Sequence, residues 1–248
     1  MHRSGPDSAP VWWFRNRIHG PVALSIRFSE ARNVVSEPPL PALFVLEARV
    51  ERELVTIGPL DRTRSWEYRI ETASIPGHPD ARHRPERPYR APVPAGRRFR
   101  IGQAFGGPYS HTTASSHHAV DIDMPAGTPV HAARAGLVMD MARHFHGTGE
   151  DPRRYGPRAN FVRILHEDGS MAVYAHLGYE GVTVRPGDRI ERGQQIGLSG
   201  NTGYSTGPHL HFVVQVNRAM ELVSVPFEFE DENGQPVAPE PGMFLQVH

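Results

Sequence analysis

Three short stretches of this 248-residue chain carry side chains that could hold a metal ion and move protons. The first runs Ser110-His111-Thr112-Thr113-Ala114-Ser115-Ser116-His117-His118-Ala119-Val120-Asp121. The second is Tyr174-Ala175-His176-Leu177, and the third spans Gly200 to Phe212 and ends Gly207-Pro208-His209-Leu210-His211-Phe212. Residues two apart in a strand share a face, so His209 and His211 project together. His117 and Asp121 share a face if their stretch is extended, and His176 ends a strand of its own. Imidazoles and one carboxylate converging on a sheet make an N/O zinc site with an open position. Zinc there lowers the pKa of a bound water towards about 7. Histidines outside the ligand set can then take its proton or stabilise an oxyanion. A need for neutral imidazoles implies a rate that falls as pH drops through about 6.5.

Composition narrows the chemistry further. There is no Cys, which excludes disulfides, thiolate zinc sites and cysteine nucleophiles. All 27 basic side chains are Arg, so a Schiff-base lysine and a P-loop are excluded as well. A net charge of zero argues against non-specific nucleic-acid binding, and no apolar run is long enough to span a membrane. The segment Met1–Pro10 is polar and lacks an apolar h-region, so no secretory signal is expected in it. Ten of the 15 histidines lie between positions 111 and 211. A lone His in a strand is usually a surface or satisfied core residue, which is our reading of His131, His144, His146, His166 and those nearer the N-terminus. His-x-His beside Gly-Pro reverses that balance, because two imidazoles on one face gain little from packing.

The elements that must position these residues read as strands. Gly and Pro number 24 each, and no stretch shows a convincing 3.6-residue apolar period. We expect an all-β chain. Residues 11–75 form a small β-sandwich-like domain, and 76–97, with six prolines, form a stiff linker. Residues 98–229 form a second, antiparallel β domain, and 230–248 a peripheral tail. The Arg- and Gly-rich segment 143–159 reads as a long loop which, with 178–183, borders the groove.

The histidine motifs, together with Gly127-Thr128-Pro129-Val130, Ala132-Ala133 and Arg185-Pro186-Gly187-Asp188, resemble the M23 peptidases, the lysostaphin- and LytM-like zinc metalloendopeptidases of peptidoglycan. The resemblance covers roughly residues 98–220. It implies a zinc ion in a groove across an antiparallel sheet, a peptidoglycan peptide as substrate and a place in the periplasm or outside the cell. It further implies that Asp121 and His211 are zinc ligands and that His176 and His209 are the non-ligand catalytic pair. For the remaining ligand two registers fit. The general pattern places it at His117, while a Ser-His subgroup places it at His111, which we favour. Two other readings stand beside catalysis: a LytM-like module that binds and activates other cell-wall hydrolases, and a latent enzyme whose linker lies across the groove.

Overall fold

The computed structural model describes residues 1–247; His248, the end of the tail 230–248, lies outside the described residues. The chain is all-β and divides into two compact units, Met1–Pro79 with Asn217–Glu221, and Asp80–Val216 with Leu222–His248.

The first unit contains β1 (His2–Ser4), β2 (Val11–Arg15), β3 (Val22–Arg32), β4 (Val34–Glu37), β5 (Ala42–Leu46), β6 (Glu51–Pro59) and β7 (Glu67–Pro76). They form a four-stranded sheet, β1-β2-β6-β4, and a three-stranded sheet, β5-β3-β7. Phe14, Leu54, Val55 and Ile57 of the first sheet meet Leu24, Ile26 and Leu46 of the second in one buried cluster. This is a small sandwich, and it starts earlier than residue 11 because β1 pairs with β2.

The second unit contains β8 (Arg98–Gln103), β9 (Ala119–Asp123), β10 (Pro129–His131), β11 (Gly136–Ala142), β12 (Thr148–Gly149), the helical turn α1 (Pro152–Tyr155), β13 (Asn160–Leu165) and β14 (Met171–Val182). It continues with β15 (Arg189–Ile190), β16 (Gln195–Ser199), β17 (Gly203–Tyr204), β18 (His209–Arg218) up to Val216, β19 (Glu221–Ser224) from Leu222, β20 (Phe229–Glu230), β21 (Pro236–Val237) and β22 (Phe244–Gln246). The large sheet runs β15-β11-β13-β14-β18-β9-β8-β22. Alternation sorts its side chains. Leu210, Phe212, Val214 and Val216 of β18, Val120 and Ile122 of β9, and Ala172 and Tyr174 of β14 enter the main core. Fully burying a side chain such as Phe212 stabilises the sheet by roughly 2 kcal/mol. The intervening residues of these strands are left for the opposite face.

The Pro-rich segment corrects the linker expected over 76–97. Proline does keep it extended, but Tyr89, Ala91 and Val93 alternate into the main core and are almost fully buried. Its backbone is tied down by Tyr89 N–H to Glu228 O at 2.8 Å and Arg90 N–H to Ala133 O at 3.0 Å. Residues 80–97 are therefore a strap of the second unit, and none of them lines the groove described below. The linker does not lie across the groove as the latent-enzyme reading required. The tail expected to be peripheral also contributes, since β22 pairs with β8 and Leu245 is buried.

His166 is structural. It is 3% exposed, and its Nδ1–H donates to Ala135 O at 2.7 Å. Burial pushes its pKa from 6.5 down to about 4. Above pH 6.5 the ring is neutral in both folded and unfolded chains. As pH falls from 6.5 towards 4 the unfolded chain binds a proton that the folded one refuses, so about 3 kcal/mol of stability is lost across that window. Urea midpoints of wild type and His166→Gln should therefore converge as pH is lowered. Parallel curves from pH 7 to 4 would refute the assignment.

Candidate metal centre and groove

On the face of the large sheet opposite the main core, β18 and β9 pair with His211 opposite Asp121 and His209 opposite Asp123. Alternation places His209, His211 and Asp121 on this face, as the spacing predicts. A turn-rich segment between β8 and β9 brings in His111, which is fully buried. His111 Nε2 lies 3.2 Å from Asp121 Oδ1, and His211 Nδ1 lies 2.8 Å from the same oxygen. These residues form a cluster whose ligand atoms all lie within 4.8 Å of one another.

The cluster fits a zinc ion by its donor chemistry. His111 Nδ1–H donates to Ala104 O at 2.8 Å, which leaves the Nε2 lone pair facing Asp121. That Nε2 is buried and has no hydrogen-bond partner. A lone pair aimed at a carboxylate oxygen is stable only with a cation or a proton between them. Burial works against charge on His111, but Asp121 outweighs it and raises the imidazole above its usual range. Burial likewise opposes ionisation of Asp121, yet the imidazoles of His111 and His211 beside it hold its carboxyl well below the usual range. The donor set is two nitrogens and a carboxylate, the composition zinc accepts with a position left open.

His117 is not brought to the cluster. The strand β9 begins only at Ala119, so the extended stretch that would align His117 with Asp121 does not exist. Thr113 and Ser116 close a turn instead, with Ser116 N–H donating to Thr113 O at 3.0 Å and Ser116 Oγ–H to Ser110 O at 3.1 Å. His117 is exposed, and its ring lies edge-on to His118 at 4.9 Å.

His176 and His209 stand beside the cluster with ring centroids 4.6 Å apart, and His176 is 5.8 Å from His211. Strict alternation after Tyr174 would send His176 into the main core. A register shift in the β13–β14 pairing opposite Asn160 and Phe161, with His176 at φ +61°, turns it onto the groove face instead. His176 Nδ1–H donates to Thr202 O at 2.7 Å and His209 Nδ1–H to Gly207 O at 2.8 Å, so both Nε2 atoms are free acceptors. Burial, then His209 and His211, lower His176 to about 3. His176 therefore stays neutral where free imidazole titrates, and the loss of rate expected near pH 6.5 does not come from it.

Several supporting residues escaped the sequence reading. Gln103 Nε2–H donates to Asp121 Oδ2 at 2.9 Å, turning Oδ1 towards the histidines. Buried Asn160 donates from Nδ2 to Phe145 O and Gly178 O, each at 3.0 Å, and its N–H reaches Thr202 Oγ1 at 3.0 Å. This network holds the bulge that carries His176. The Asn-Thr pair of the third motif hinted at Thr202; nothing in the sequence marked Gln103 or Asn160.

The open cavity over the site has a volume of about 860 Å³ and is lined by Tyr109, His176, Tyr204, Pro208, Val213 and Gln215, among others. The segment 143–159 does border it, through Gly156 and Ala159. Thr148 Oγ1–H donates to Ser205 O at 2.8 Å, and β12 pairs with β17. Gly203 makes this approach possible: it adopts φ +89°, and a Cβ there would lie 2.8 Å from that of Ala159. The stretch 178–183, expected at the groove, instead extends β14 against β16 and does not line the cavity.

The chain is 35% identical over 122 residues to the peptidoglycan DD-endopeptidase ShyA of Vibrio cholerae, covering 48% of this chain and 25% of that protein. It is 38% identical over 121 residues to lysostaphin of Staphylococcus simulans, covering 48% and 22%. The solved structure of lysostaphin from Staphylococcus simulans matches at 34% identity and a TM-score of 0.36, covering 48% of this chain and 43% of that one. The chain thus spans about a quarter of the length of these two relatives. Residues 115–239, half of the sequence and the part that carries Asp121, His176, His209 and His211, match the description of peptidase family M23, and the chain belongs to that family.

Proposed function

We propose that this chain is a zinc-dependent endopeptidase that hydrolyses peptide bonds of peptidoglycan in the cell envelope. The observation that carries the reading is the convergence of His111, Asp121 and His211 on one point, with two free imidazole Nε2 atoms beside it and an open groove above. A non-catalytic module has no use for this complete set.

His111, Asp121 and His211 would hold the zinc. When bound, zinc supplies Lewis acidity that polarises a carbonyl and makes water nucleophilic near neutral pH. The side chains do the rest. Gln103 keeps the Asp121 carboxylate from rotating away. The free Nε2 atoms of His176 and His209 accept a proton from the attacking water and return it to the leaving amine. The main-chain oxygens of Thr202 and Gly207 hold both rings in the tautomer that makes this possible. The groove admits an extended peptide along the strands.

The test is digestion of purified peptidoglycan by the zinc-loaded chain, with mass spectrometry of the released fragments. We expect fragments with new peptide amino termini, loss of cleavage under chelation and its return with zinc. Intact peptidoglycan after verified zinc loading would move the chain to the non-catalytic alternative. No helix among the described residues is long and apolar enough to cross a membrane.

A further inference from the structure

The groove is bridged over one row of the sheet. Read across the strands, Gln103, Asp121, His211, Ala175 and Phe161 lie side by side on β8, β9, β18, β14 and β13. At one end of this row stands the turn that carries Tyr109, whose main-chain N–H donates to Gln103 Oε1 at 3.0 Å. At the other end stands β17 with Tyr204, beside Gly203, whose backbone lies against Ala159 just ahead of β13. The two phenol rings nevertheless meet. Their centroids are 5.9 Å apart with planes 2° from parallel, and both side chains line the cavity. Tyr204 pushes the Tyr109 phenol up to about 12, and Glu150, which follows β12 on the Tyr204 side, adds to the rise. Tyr109 thus reaches over the row that holds Asp121 and His211.

Core packing does not explain the pair. Neither ring belongs to a buried cluster, and Tyr109 is 51% exposed. An extended peptide lying along the strands crosses this row at a right angle, so it passes beneath the stacked rings. A peptide with a free end can enter lengthwise under them. A cross-linked peptide has no free end, and it can reach the floor of the groove only from above, between the rings. The main chains on both sides are pinned, Tyr109 by Gln103 and β17 by its pairing with β12. Opening is therefore a rotation of two side chains, with the walls and the metal cluster left in place. A stack of this kind favours the closed arrangement by about twofold to tenfold.

We propose that Tyr109 and Tyr204 are a specificity-determining gate, which must part before a cross-linked peptide, but not a free-ended one, reaches the metal cluster. The gate rests on the hydrolase reading for the nature of what passes it, but passage is also measurable as binding, without turnover.

The experiment compares two synthetic stem peptides of one sequence, one linear and one closed into a ring, so that only the linear one has an end to thread. The zinc-loaded full chain is given each, and the readout is the ring-to-linear ratio of kcat/KM, which cancels any general loss of activity. Tyr204→Ala and Tyr109→Ala should each raise that ratio by about twofold to tenfold. The converse test locks the gate. The chain has no Cys, so in Tyr109→Cys/Tyr204→Cys a bis-maleimide can join only those two positions. Joining should lower the ratio at least about tenfold, with zinc content unchanged. An unchanged ratio in the alanine variants, or an equal effect on both peptides after joining, overturns the gate. The locked pair decides if the alanine variants do not fold. A wild-type chain that holds zinc and cleaves neither peptide would overturn the hydrolase reading instead. The ring-to-linear ratio is then read from affinities by titration calorimetry, and the same outcomes decide the gate.

Discussion

Replacing His111 with alanine should empty the metal site and lower hydrolysis at least about a thousandfold, because the nucleophilic water depends on the ion. Replacing His117 should leave zinc content and rate within about twofold. The general family spacing argues for the opposite outcome, since it places a ligand four residues before Asp121. The geometry decides. His111 is buried with its Nε2 unpartnered 3.2 Å from Asp121, while His117 sits exposed on the turn before β9. Zinc stoichiometry measured alongside digestion of peptidoglycan reads the result directly. A His117→Ala protein without metal, or a His111→Ala protein that retains it, would overturn the assignment.

His176→Ala should lower the rate by about a hundredfold to ten-thousandfold while zinc content stays at the wild-type level. The split between metal content and rate is what separates a proton carrier from a ligand. His176 has its Nδ1 committed to Thr202 O and its Nε2 free, and it lies outside the cluster of ligand atoms. Loss of zinc along with activity would make it a structural prop of the site instead. His209→Ala should show the same split, because Gly207 O anchors its ring in the same way.

Much of the site was legible because strand alternation is a rigid rule. His209 and His211 share a face with Asp121 for no reason beyond period-two geometry, and the cross-strand register of β18 and β9 then brings them together. Two features break the rule and could not be read. His176 stands on the groove face only through an irregular β13–β14 register and a left-handed residue, and no residue type around it announces a bulge. His111 arrives on a turn whose shape depends on hydrogen bonds among Ser110, Thr113 and Ser116, so counting residues from Asp121 cannot locate it. The strap over 80–97 failed for a related reason. Its proline content correctly signalled an extended chain, but whether an extended chain is free or buried depends on Tyr89, Ala91 and Val93 finding a core, which is a tertiary matter.

The rings of His111, His176 and His209 are each oriented by a main-chain oxygen, those of Ala104, Thr202 and Gly207. Point substitution can delete a carboxylate or a hydroxyl that orients a ring; it cannot delete a carbonyl. The protonation pattern of this site is thus inherited from the path of the backbone and insulated from drift in the identities of those anchoring residues. Its exposure to change lies in insertions and deletions, which would displace a carbonyl without altering any functional side chain.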